Sequence, residues 1–155
     1  MAKSDDRHSL ASCVMENLEK QHDWTCLEIH TVERGTQPSA NGQHFLVRGI
    51  PPRRLYVHPD EQIQILKAER NGDPSSQERA TIPEAEWVLP VHTAEKWTLA
   101  DFAAVFDSIE MAPTRWQDAG DNPEQHKRLL LAGVDFDSTV VYYFVHNGLV
   151  KPRQN

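Results

Sequence analysis

Two apolar runs late in the chain constrain the fold most. Leu129-Leu130-Leu131-Ala132-Gly133-Val134 is unbroken, and Thr139-Val140-Val141-Tyr142-Tyr143-Phe144-Val145 is almost wholly β-branched and aromatic. Asp135-Phe136-Asp137-Ser138 lies between them. Asp and Ser side chains hydrogen-bond the backbone just ahead of them and so favour a turn. Two strand-like runs across so short a connection predict a β-hairpin. Neither run alternates apolar with polar residues, so each strand is expected to be covered on both faces. Leu129, Leu130, Leu131, Val134, Val140 and Val141 would each contribute about 1.5–3 kcal/mol on full burial. That sum is of the order of a domain's net stability, so the hairpin is expected to be the core. Only His146 to Asn155 follows the second run in this sequence, little chain with which to cover it. Two outcomes stay open: an internal helix covers the strand, or the strand is an open sheet edge that pairs with another chain.

The preceding residues supply the rest of a sheet and its helices. Leu10, Val14 and Leu18 recur every fourth residue and predict a helix over Arg7–His22, with Asp5 or Asp6 as N-cap and residues 1–6 disordered. Trp24–Val32 favours a strand, with Leu27 and Ile29 on one face. Residues 33–43 hold Gly35, Pro38, Asn41 and Gly42 and read as a loop. Phe45–Val47 is a short strand, and an extended run resumes at Leu55–Val57 after Pro51-Pro52. Pro59 suits the first position of a helix. In residues 60–70, Ile63 and Leu66 suit a helix and Ile63 and Ile65 a strand; helix is the expectation. Residues 71–84 are polar and turn-rich, a second loop. Trp87–Val91 is a strand. Thr98 and Asp101 form a capping box ahead of a stripe of Leu99, Phe102, Ala103, Phe106 and Ile109. Residues 111–125 read as a third loop. The order α-β-β-α-β-α-β-β indicates one α+β domain, a mixed α/β arrangement of helices packed on a sheet.

Composition narrows the chemistry. The formal charge is −7. A chain that binds RNA alone through its phosphates is basic, because counterion release depends on Lys and Arg. Local patches remain at Arg48, Arg53 and Arg54, at Lys127 and Arg128, and at Lys151 and Arg153. Cys13 and Cys26 lack disulfide or zinc spacing, which fits a reduced compartment. No apolar run approaches membrane-spanning length, so no membrane insertion is expected. The sequence has no phosphate-binding loop, no pair of histidines four apart, and no nucleophile elbow. No acid stands two residues before a lysine, as a restriction-type metal nuclease needs. No catalytic residue and no cofactor is therefore assigned.

A longer pattern is more specific. Arg128 to Tyr143, followed by Asn147-Gly148-Leu149-Val150-Lys151-Pro152, and the separate piece Trp87–Val91, resemble the small structural subunit (Sen-fifteen) of the eukaryotic tRNA-splicing endonuclease. The resemblance covers residues 44–155, and Lys151–Asn155 is similar to its filamentous-fungal branch. It implies a fold like the C-terminal, nuclease-like domain of tRNA-intron endonucleases. It implies pairing with a catalytic subunit of the Sen-thirty-four type, contact with precursor tRNA through that complex, and work in the nucleus or on the outer mitochondrial face. Catalytic subunits of this family use a Tyr, a His and a Lys. Lys127 stands where their Lys stands, but His92 is at the wrong end of its strand and Tyr56 lacks their Gly-rich surroundings. One cation does not replace two proton transfers, so a non-catalytic subunit is expected. Lys127 and Arg128 are then candidate RNA-backbone contacts. The expected subunit interface is Val140, Val141, Tyr142, Tyr143, Phe144, Val145 and His146, with one tyrosine facing the core and the other outward. In isolation the same edge should pair with itself as a homodimer. The rival expectations are a divergent metal-free RNase using Lys127, and a homodimeric scaffold unrelated to RNA.

Overall fold

Alternate side chains of the central strands go to opposite faces of one sheet, and a different helix closes each face. The computed structural model describes residues 2–33, 43–75, 78, 81–110 and 128–148. Its elements are α1 (Ala2–His22), β1 (Thr25–Glu33), β2 (Gln43–Ile50), α2 (Pro59–Arg70), β3 (Glu86–His92), α3 (Leu99–Glu110), β4 (Arg128–Val134) and β5 (Val140–His146). The sheet order is β1-β2-β3-β4-β5. β3 and β4 are parallel and every other neighbouring pair is antiparallel. A parallel pair needs a crossover, and α3 lies in the connection. The fold is α+β, with the element order read from the sequence.

Helix α1 buries Ala11, Val14 and Leu18 against Val47, Val88, Leu130, Ala132 and Val134. Helix α3 buries Val105, Phe106 and Ile109 against Leu46, Trp87, Leu89, Val91 and Leu129 on the other face. β3 and β4 are thus covered twice, which is why their sequences run apolar without alternation. The capping box forms: Thr98 N–H donates to Asp101 Oδ2 at 2.9 Å, and Asp101 N–H donates to Thr98 Oγ1 at 3.2 Å. Pro59 opens α2, and His58 Nδ1 caps it by accepting from Asp60 N–H. At the hairpin turn, Phe136 N–H donates to Asp135 Oδ1 at 2.8 Å and Thr139 N–H to Asp137 Oδ1 at 2.9 Å. Ser138 completes the reversal at φ 66°.

Several expectations are corrected. α1 starts at Ala2 rather than Arg7, so Asp5 and Asp6 lie inside it rather than capping it. The extended run expected at Leu55–Val57 takes no part in the sheet; the two prolines before it lack the N–H that a ladder needs, and the chain leaves the sheet there. Within the second loop, Ser75, Glu78 and Thr81 are helical. Residues 34–42 and 111–127, with the rest of the first and the whole of the third loop and with Lys127, lie outside the described residues. The largest correction concerns β5. Val141 is 43 % exposed, Tyr143 61 % and Phe144 39 %. β4 belongs to the core as expected, whereas β5, last in the sheet, is not covered on both faces.

The packing sets a stability contrast. Leu129→Ala, in the α3 layer, should cost about 2–5 kcal/mol. Leu99→Ala, on an exposed side chain at the start of α3, should change stability by less than about 0.5 kcal/mol. Denaturant midpoints at constant slope measure both.

Candidate functional site

The two edges of the sheet are built differently. On β1 the ladder shifts register between Thr25 and Glu28, Cys26 sits at φ 54°, and Glu28 places a charge on the strand. Bulges and charges keep edges from pairing. On β5 the ladder to β4 runs without a shift from Arg128↔His146 to Val134↔Val140. Val140 to Val145 carries no proline and no charged side chain. Such an edge presents an ordered row of backbone donors and acceptors to a further strand.

β5 is anchored on one face at Val140 and Tyr142 and exposed on the other at Val141 and Tyr143. Val140 and Tyr142 pack on the α1 layer. Tyr142 O–H donates to Asn17 Oδ1 at 2.6 Å, and its ring meets His22 edge-on at 5.5 Å. Burial pushes the Tyr142 hydroxyl up to about 12. The period-two rule then sends Val141 and Tyr143 to the opposite side, where both are exposed, while Val145 packs on the α3 layer. The two tyrosines divide inward and outward as expected.

The far end of the strand ends in a buried charge cluster. Arg128 is 4 % exposed and donates to Glu86 Oε1 at 2.5 Å and Glu84 Oε2 at 3.2 Å. Arg54 forks onto Glu61 at 2.9 and 2.6 Å and reaches Glu84 at 3.3 Å. Burial raises the Glu86 carboxyl above its ordinary range, against the opposing pull of Arg128. The cluster ties β3 and β4 to the segment that starts α2. Arg128, expected as an RNA contact, is therefore a buried structural ion in the free chain. Its partners lie 42 and 44 residues away, and no local pattern announced them.

Beside this cluster the fold assembles groups that sequence reading had left apart. The Arg128 guanidinium lies over the Tyr56 ring at 5.1 Å. That ring is 5.2 Å from His146 and 5.7 Å from Phe144. Burial, then the charges of Arg128 and His58, hold the His146 imidazole below its ordinary range. A phenol and an imidazole thus meet a guanidinium, but two carboxylates already neutralise that cation. His92 is at the opposite end of the sheet, its Nδ1 accepting from Ala94 N–H at 3.1 Å and its ring against Phe136. Among the described residues no group of three His, Cys, Asp or Glu could hold a metal ion.

One family and two known proteins match this chain to different extents. The Sen15 protein family matches residues 13–155. A probable tRNA-splicing endonuclease subunit of Neurospora crassa, tsp-1, is 48 % identical over 164 aligned positions, covering 98 % of this chain and 69 % of that protein. A probable tRNA-splicing endonuclease subunit of Schizosaccharomyces pombe, sen15, is 35 % identical over 71 positions, covering 45 % of this chain and 50 % of that protein.

Two outcomes are expected at the cluster. Glu86→Ala strips a buried guanidinium of its main partner and should cost about 3–5 kcal/mol by chemical unfolding. Replacing Glu86 and Arg128 together by Met should recover most of that loss. The depressed His146 imidazole contributes stability that is complete above the unfolded value of 6.5 and is lost as pH falls through the lower folded value. The melting temperature should therefore drop as pH falls below about 7, and the drop should be smaller in His146→Gln.

Proposed function

The chain belongs to the Sen15 family, and from that premise we propose that it is a structural, non-catalytic subunit of a tRNA-splicing endonuclease. It pairs along β5 with a catalytic subunit of the Sen-thirty-four type and holds that subunit for removal of introns from precursor tRNA. The observation that carries the reading is the contrast between a bulged, charged β1 edge and an unbroken, uncharged β5 edge. A partner strand would hydrogen-bond along β5 at the usual spacing of about 4.8 Å. Val141, Tyr143 and Phe144, exposed in the free chain, would supply the buried area, and tyrosine is a favoured residue at such contacts. Without a partner the edge pairs with a second copy. RNA is reached through the complex, since the chain's own charge is −7. A nuclear place of work, with the cytoplasmic face of mitochondria as the alternative, rests on the resemblance alone.

The rival is a divergent metal-free RNase. Tyr56 and His146 stand side by side, which favours it; the committed state of Arg128 weighs against it. Purified chain incubated with precursor tRNA decides between them. Cleavage lost in His146→Ala or Lys127→Ala would replace the structural reading.

Co-expression with the catalytic subunit should give a complex whose mass equals one copy of each chain. Tyr143→Asp should abolish that complex while leaving circular dichroism and melting temperature unchanged. Alone, the wild-type chain should sediment as a dimer at micromolar concentration, and a monomer there would contradict the edge as a pairing surface.

A further inference from the structure

We propose that α2 is a docking helix, completed by the same catalytic subunit that adds its strand to β5. This rests on the structural-subunit reading and widens the contact from an edge to a two-part surface. A helix of 12 residues is at the length where isolated helices are marginal in water, and most protein helices are held by burying a stripe. α2 buries none of its residues. Ile63 is 42 % exposed and Leu66 53 %; three apart on a helix, they share one side. The ends of the helix are nevertheless finished. His58 caps the start, and Asn71 N–H donates to the carbonyls of Lys67 and Ala68 at 3.2 and 3.1 Å. Glu61, Ile65 and Ala68, at i, i+4 and i+7, are partly covered, whereas Ile63 and Leu66, on another side of the same finished helix, are left exposed.

Position identifies the occupant. Arg54 grips Glu61 in the first turn and joins it to the cluster that holds β3 and β4. Tyr56 touches Phe144 and His146 of β5, so α2 begins beside the end of the open edge. At about 1.5 Å per residue, Ile63 and Leu66 lie about 7 to 12 Å along the axis from His58. An added strand lies about 4.8 Å beyond β5, so a folded domain seated on that strand reaches the start of α2. A stable interface buries on the order of 1,200–2,000 Å². One strand on a seven-residue edge supplies a part of that, and the side of α2 is exposed apolar surface joined to the same end.

Hydrogen exchange read by mass spectrometry tests this, on the free chain and on its complex with the co-expressed catalytic subunit. Amides of residues 63–70 should exchange quickly in the free chain and at least tenfold more slowly in the complex. Ile63→Ser combined with Leu66→Ser should weaken the complex at least tenfold without changing the melting temperature, whereas Leu99→Ser should leave affinity unchanged. The inference is overturned, and the subunit reading stands, if the complex forms and is broken by Tyr143→Asp while α2 exchange and the affinity of the double variant are unaltered. Protection of α2 that appears only on adding precursor tRNA would assign the helix to RNA and overturn it too. Failure of the wild-type chain to form any complex would remove the subunit reading and this inference together.

Discussion

The pairing of β3 with β4 between two helices governs the rest of the molecule. Val88 opposite Leu130 and Leu89 opposite Leu131 fix the register, and α1 and α3 close the two faces. With both faces covered and its other edge taken by β3, β4 leaves β5 a single place, on the outside. A slip of one residue would send each side chain to the opposite layer. Arg128 would then enter the apolar α3 layer and leave Glu86 unpaired. The ion cluster at the strand ends therefore acts with the apolar pattern, both admitting the same register.

That cluster is costly in itself. Two guanidiniums and their carboxylates are taken out of water, and such burial often only breaks even against an apolar replacement. What it adds here is connection. Through Arg54, Glu61 and Glu84 it fastens the irregular chain after β2 to the strands, and so places Tyr56 against β5 and starts α2 beside the same edge. Charge, edge and helix meet at one corner of the sheet, away from His92 and the hairpin turn.

Local chemistry was legible in the residues; partnership was not. The capping box at Thr98, the Asp-rich turn, Pro59 at a helix start and the order of elements all follow from neighbours in sequence. The opposed fates of Tyr142 and Tyr143 follow from a period of two. β5 misled because an apolar run reads as a buried strand whether the cover comes from the same chain or from another. Arg128 misled because it stands beside Lys127 and its carboxylate partners come from a distant strand. His146 and Tyr56 could not be joined before the strand order was known. Leu55–Val57 had strand-like side chains, but the deciding fact was the missing N–H groups of Pro51 and Pro52.

The central claim is that β5 is finished by a second polypeptide. A photo-crosslinking residue placed at position 143, in the chain co-expressed with the catalytic subunit, reports on this directly. The account predicts a crosslink to the catalytic subunit, mapping to one of its own edge strands. A complex that forms normally yet yields crosslinks only within this chain would contradict it.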